Sequence, residues 1–272
     1  MAKKKAGIYT NLEGGSNNKV EDLYVIINHD NFIFTVKHKI SNTFIAFEHF
    51  SNNESSIGWH KLLGYIQNNS KLINHVYANI YFVWNSSKFI LTKKFAKPDS
   101  ILYQQELNLV HGTSFEEELY ITPFNENLVL LFTVPDTLNS LLSRLFPNGK
   151  WHHYAEYILA NKVENEVQLH LFEHIFCLSV VKDGITQLIN YYPIEGNDQN
   201  CYTILNTCSN INIETNISNL TVRGYSSQVH EFVNQVAKYF KNASIIEPPI
   251  NGIGATLNTN YPNNLYATYF IF

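Results

Sequence analysis

Along residues 24–36, "YVIINHDNFIFTV", apolar and polar positions alternate on either side of a short polar run. This pattern predicts two strands joined by a tight turn. It returns at 168–181 as "QLHLFEHIFCLSVV". Leu23, Val25 and Ile27 share one strand face, and 144 residues later Val167, Leu169 and Leu171 do the same. At that offset Phe32, Phe34 and Val36 fall on Phe176, Leu178 and Val180. In a third strand, Ile45 and Phe47 fall on Ile189 and Tyr191. Alternation with a period of two predicts half-buried strands.

A helical spacing follows in both places. Trp59, Leu62, Leu63 and Ile66 sit at i, i+3, i+4, i+7, and Cys201, Ile204, Leu205 and Cys208 repeat that spacing 142 residues later. Ser55 or Ser56 is the expected cap of the first helix and Asp198 of the second. A strand comes next, "YANIYFV" at 77–83 aligning with "NLTVRGY" at 219–225. The order strand, strand, strand, helix, strand is thus written twice. The second copy continues with an amphipathic helix through Val229, Phe232, Val233, Val236 and Phe240, then a short strand, "SIIEP", ended by Pro248-Pro249.

The first copy carries an insertion instead. "KFILTKKF" predicts a strand, "SILYQQELNLV" a helix, "ELYITPF" and "NLVLLFTV" a hairpin, and "DTLNSLLSRLF" a helix with Asp136 at its cap. The stretch around 148–165 is expected to lead into the second copy. The division that follows is a flexible tail over 1–20, a first lobe over 21–150 and a second over 151–272, in a mixed α/β fold.

Composition narrows the functional classes. Charged residues make up 15% of the chain, below the usual quarter, and the formal net charge is −4. That balance gives no electrostatic case for nucleic acid, which calls for a basic face. Cys177, Cys201 and Cys208 are an odd set without metal-type spacing to histidine and are expected to be reduced core residues. The basic start "MAKKKAG" is followed by no apolar stretch of the kind a secretory signal needs, and no run has the roughly 18 apolar residues of a membrane span. A cytoplasmic protein is the expectation.

Three antiparallel strands, a crossover helix, a parallel strand, a helix and a further strand, present twice, are the plan of the actin-like ATPase (ribonuclease H-like) fold with two lobes. The chain resembles an uncharacterised Bacteroidetes family, domain of unknown function 3822, described as actin-like. "DNFIFTV", "FILTKKFAKPDSILYQQELNL", "CLSVVKDGITQLINYYPIEGNDQNCYTILNTC" and "NLTVRGY" carry the resemblance. It implies a fold and brings no activity with it.

In actin-like ATPases the turn between the first two strands of each half grips nucleotide phosphates. Such a turn uses Asp for the metal's water shell, glycine for close amide approach, and Ser or Thr beside the phosphates. The turns here are Asn28-His29-Asp30-Asn31 and Phe172-Glu173-His174-Ile175, without Gly, Ser or Thr. Asp30 is comparable to the metal-holding Asp, but no glycine follows it. With the lobes arranged as in actin, Asn28, His29, Asp30, Asn31, Glu173 and His174 would line the cleft between them. They are expected to act there as polar turn residues, with no catalytic or metal role. Gly252 and Gly254 in "NGIGATLNTN" are the remaining candidates for a nucleotide loop. Adjacent His152 and His153 point in different directions on a strand or helix, so one metal does not readily take both.

The expectation is a non-catalytic scaffold or adaptor without a cofactor, bound to an unidentified protein partner, with a homodimer left open. The alternative is a nucleotide-binding protein that uses ATP with magnesium through atypical loops.

Overall fold

The computed structural model describes residues 2–10, 20–29, 31–52, 58–97, 99–113, 115–164, 166–224, 230–248, 253 and 266–272. The chain divides into two compact units, Met1–Glu156 and Tyr157–Phe272.

In the first unit, β1 (Ala2–Tyr9), β2 (Glu21–Ile27), β3 (Asn31–His38) and β4 (Thr43–Asn52) are followed by α1 (Trp59–Asn69) and β5 (Asn79–Trp84). Then come β6 (Phe89–Lys93), α2 (Ser100–His111), β7 (Glu117–Pro123), β8 (Leu128–Pro135), α3 (Asp136–Leu145) and β9 (Gly149–His153). Helix α4 (Tyr154–Ala160) spans the boundary between the units. The second unit has β10 (Glu166–Leu171), β11 (Ile175–Lys182), β12 (Ile185–Pro193), α5 (Asn197–Asn210), β13 (Asn219–Arg223), α6 (His230–Ala237) and β14 (Asn242–Ile245).

The main sheets run β1-β4-β3-β2-β5-β9 and β12-β11-β10-β13-β14. Without β1 the two orders are the same. Each central strand, β2 or β10, has an antiparallel neighbour on one side and a parallel one on the other. A parallel return needs a crossover, and α1 and α5 supply it. The insertion, β6 to β8, forms a separate three-stranded sheet, β6-β8-β7, with Tyr103 and Leu107 of α2 packed on Val129 and Leu131. Tyr103 stacks on Phe95 at 4.7 Å, and its hydroxyl accepts from the Phe95 N–H.

Registers show which residues are equivalent. Leu23 pairs with Val36 and Val25 with Phe34, as Val167 pairs with Val180 and Leu169 with Leu178. These pairs keep the offset of 144, and Phe34 and Leu178 are both buried. A bulge falls between Val36 and Lys37 in one sheet and between Val180 and Val181 in the other. Across the third strand, however, Thr35 opposes Phe47 where Ser179 opposes Ile189. Phe47 therefore corresponds to Ile189, and His49 to Tyr191, at an offset of 142; the match of Ile45 and Phe47 with Ile189 and Tyr191 is corrected by two residues. In the parallel strand Leu23 faces Ile80 and Val167 faces Leu220, an offset of 140, again two residues from the expected alignment. A slip of two keeps every side chain on its own face, so alternation alone does not reveal it.

Other expectations change. Residues 2–9 of the supposed tail are strand β1, paired antiparallel with β4. The stretch at 149–153, expected as a connector, is β9, parallel to β5. It stands after α3 as β14 stands after α6, so the first unit completes the same plan once the insertion is set aside. Asp136 is the first residue of α3, which Pro135 precedes at the cap position. Gly196, not Asp198, precedes α5, and Gly58 precedes α1; Ser55, Ser56, Val229 and Pro249 lie outside the described residues. Asp99 is a side-chain cap, accepting from the amides of Ile101 and Leu102.

Strands β2 and β10 are also buried more fully than alternation predicts. Every residue of β10 is buried, including Glu166, Gln168 and His170 on the face opposite Val167, Leu169 and Leu171. Buried polar groups need partners. Thr221 Oγ1 donates to Glu166 Oε1, and Gln168 Nε2 donates to Glu166 Oε2 at 2.6 Å. At the matching place in the first unit, Asn79 Nδ2 donates to Asp22 Oδ1 at 2.7 Å.

Strand β1 is fastened by a buried carboxylate. Glu48 on β4 is 0% exposed and receives Lys4 Nζ, the Tyr9 hydroxyl, Ser70 Oγ and the Lys71 N–H. Burial, with the hydrogen bond to Glu48 adding to it, pushes the Tyr9 phenol far above its ordinary range. Lys4→Met strips one charge-assisted donor from a carboxylate that stays buried, and is expected to cost about 1.5–3 kcal/mol. Urea denaturation checks this, and adding Glu48→Gln to that variant is expected to recover part of the loss.

Candidate functional site

The two hairpin turns close in the same way. The Asn28 N–H donates to Asn31 O at 3.1 Å, and the Phe172 N–H donates to Ile175 O at 2.9 Å. Two residues lie between the paired ones in each turn. None of the described turn residues has a positive φ. Successive amides converge on an anion where the backbone alternates into the left-handed region, and Phe172–Ile175 stay out of that region.

Some of the side chains are also committed. Asn31 is 2% exposed; His49 Nε2 donates to its Oδ1 at 2.8 Å, and its Nδ2 donates to Asn28 Oδ1 at 3.2 Å. His29 is exposed, and Asp30 lies outside the described residues. In the second turn Phe172 is buried, its ring 6.4 Å from Tyr191 and 6.2 Å from Tyr269. Glu173 is half-buried and His174 exposed. Burial first, and the Glu173 carboxylate second, push the Tyr269 phenol well above its usual range. Because His49 corresponds to Tyr191, the same place in the two hairpins holds a polar link in one and an aromatic stack in the other.

Each set of candidates thus sits at its own turn, Asn28, His29 and Asn31 on one hairpin and Glu173 and His174 on the other. Gly252 and Gly254 lie outside the described residues. Sequence reasoning passed over Gly224, at the end of β13, with φ +76°. A Cβ there would stand 2.3 Å from the Leu171 carbonyl oxygen, so the glycine lets β13 close on the strand that leads into the second turn. Its signal was legible as a lone glycine after a strand pattern.

His152 and His153 do diverge. His152 Nδ1 pairs with Glu156 Oε2 at 2.9 Å. His153 is fully buried, its Nε2 donating to Ser86 O at 3.0 Å while Nδ1 accepts from the Ala155 N–H at 3.2 Å. These bonds fix a neutral tautomer, and burial lowers the His153 pKa to about 3 against the opposing pull of the Ser86 carbonyl. His170 is buried too, and burial, with Arg223 adding to it, lowers its pKa to about 3. Cys177, Cys201 and Cys208 are free and buried, and desolvation raises each thiol pKa, that of Cys208 to about 11. A thiol held protonated in this way is a poor nucleophile. Among the described residues no group of three or more His, Cys, Asp or Glu side chains is placed to hold a metal. None of the described helices is long and apolar enough to cross a membrane.

Comparison with known proteins places this architecture among proteins with the actin-like ATPase fold. A Bacteroides thetaiotaomicron protein described as having that fold and unknown function aligns over 89% of this chain and 98% of its own, with a TM-score of 0.73 and 15% identity. The chain belongs to the family described as protein of unknown function (DUF3822), whose model matches residues 15–243. Weaker structural matches include the cytoplasmic domain of EpsL, an inner membrane component of the Vibrio cholerae type II secretion system. It has a TM-score of 0.43 and 12% identity, over 74% of this chain and 80% of that one. Ethanolamine utilization protein EutJ from Carboxydothermus hydrogenoformans has a TM-score of 0.45 and 8% identity, over 97% and 92%. No curated protein matches the chain.

Truncating the buried ring by Phe172→Ala is expected to cost about 3–5 kcal/mol, whereas His174→Ala in the same turn should stay within about 0.5 kcal/mol, both read by chemical denaturation. A second expectation concerns pH. The pKa of His153 is depressed in the folded state, so its contribution to stability is present above the unfolded value near 6.5 and is lost as pH falls toward 3. Between pH 7 and 5 this one group should remove about 2 kcal/mol. His153→Gln should make that part of the stability–pH curve shallower, with the His170 contribution remaining, as measured by urea midpoints at the two pH values.

Proposed function

We propose that this protein is a non-catalytic member of its fold class, a scaffold or adaptor that acts by binding another protein. The observation that carries this reading is the second hairpin turn. Where an actin-like ATPase presents amides and a hydroxyl to phosphate, this chain presents Phe172, packed between Tyr191 and Tyr269. A phosphate there would meet an apolar ring and the neighbouring Glu173 carboxylate. Phosphoryl transfer depends on positioned donors and cations around the transferring group, and such a turn supplies neither. The first turn supports the same reading, because Asn31 is already engaged by His49 and Asn28.

The sequence expectation of a cytoplasmic protein without a cofactor goes with this proposal. A thermal-shift titration with ATP and magnesium tests it. A ligand at a hundred times its dissociation constant stabilises by about 2.7 kcal/mol, which such a titration resolves. No saturable shift is expected, and Asp30→Ala should melt like the wild type. A saturable shift that disappears in Asp30→Ala would overturn the proposal in favour of a nucleotide-binding protein.

A further inference from the structure

Five large apolar side chains stand exposed within residues 101–115: Ile101, Leu102, Leu109, Val110 and Phe115. Ile101 is 67% exposed, Leu109 86% and Phe115 88%. Exposed apolar side chains clustered in this way point to a contact surface. The cluster centres on α2, which turns Tyr103 and Leu107 into the core of the insertion. At about 3.6 residues per turn, Ile101, Leu102, Gln105 and Leu109 share the opposite face of the helix.

That face reads the same in both directions. Ile101 lies four residues before Gln105 and Leu109 four residues after it, each about 6 Å away along the axis. When a second copy of the helix lies antiparallel about a twofold at Gln105, Leu109 of each copy comes opposite Ile101 of the other and beside its Leu102. A closed twofold contact requires this self-complementarity, because whatever residue i meets on the partner must meet residue i in return.

Gln105 singles out the occupant. It is exposed in the middle of the apolar face. Under a purely apolar partner its amide would be covered without a hydrogen bond, which is costly. On the twofold it meets its own counterpart, and an amide both donates to and accepts from an identical amide. A single polar residue in an apolar helix seam fixes register in this way.

Charge agrees with the antiparallel arrangement. Lys93, Lys94 and Lys97 are exposed ahead of the helix. Glu126, in the turn that accepts from the Lys94 N–H through Asn127 O, offsets one of them. The Asp99 carboxylate is spent on the amides of Ile101 and Leu102. Past the other end Glu116 is exposed, while Glu117 is paired with Lys88 at 2.6 Å. Antiparallel helices set the basic end of one copy against the acidic end of the other, and oppose their dipoles favourably.

We propose that the exposed face of α2 docks the same helix of a second copy of this chain, antiparallel, about a twofold at Gln105. The inference stands on the helix face and its charges and does not rest on the scaffold reading.

The test is sedimentation velocity on the full chain across a wide concentration range, with circular dichroism to confirm folding. The wild type is expected to dimerise. Ile101→Glu and Leu109→Lys, each alone, should give monomers, and each charge suits the end of the helix where it is placed. Combined in one chain, the two substitutions set glutamate against lysine at both ends of the antiparallel pair and should restore the dimer. Gln105→Lys sets a charge against itself on the twofold and should also give monomers. A wild type that stays monomeric throughout overturns the proposal, as does a dimer that any of the three single variants retains. Loss of the dimer in the single variants without recovery in the combined one puts the contact in another arrangement and overturns it too. Should one single variant fail to fold, the other two still decide whether the dimer depends on this face.

Discussion

The architecture depends on one constraint, repeated in each unit: a central strand hydrogen-bonded on both edges and buried on both faces. Strands β2 and β10 each take an antiparallel hairpin partner on one side and a parallel strand on the other. The antiparallel partner is reached through a tight turn, but the parallel one has to be reached by a crossover, which places α1 and α5. The buried apolar face then collects the core, Val167, Leu169, Phe176, Leu178, Ile204 and Phe232 in the second unit. The buried polar face must satisfy itself internally, as Glu166 does with Gln168 and Thr221, and Asp22 with Asn79.

On this shared frame the two units differ at the positions where function would lie. The first hairpin links Asn31 to His49, and the second stacks Phe172 on Tyr191. The closing hydrogen bond is the same and the side-chain chemistry is not, and a fold class alone does not carry an activity to a chain. Amide convergence and side-chain availability bear on whether a turn can hold phosphate; Phe172–Ile175 stay out of the left-handed region, Asn31 is engaged by His49 and Asn28, and Phe172 is packed on Tyr191 and Tyr269. The edges differ as well. One third strand is paired with β1 through the Lys4–Glu48 pair, and the other, neutral in sequence, has no further strand beside it among the described residues.

The repeated element order, the existence of an insertion in the first copy, the face carried by Leu23, Val25 and Ile27, and the absence of glycine from both turns could all be read from the chain, since they follow from periodicity and residue type; that the insertion stops at β8 and leaves α3 to the repeated plan came from the structure. Helix starts were less legible. Gly58 and Gly196 stand at cap positions without a side chain to announce them, and Pro135 took the place expected of Asp136.

The sequence by itself determined which residues share a face, because side chains alternate along any strand whatever it pairs with. Only the tertiary structure decided which residues oppose one another. A shift of two leaves the alternation intact, so the offsets of 142 and 140 in the third and fourth strands come from hydrogen-bond register alone. Tertiary structure also decided that the polar face of β10 is buried, and that residues 2–9, polar enough to pass for a tail, are held as a strand by a carboxylate 44 residues further on. Burial and pairing of this kind depend on what the rest of the chain brings alongside, and no local pattern encodes that.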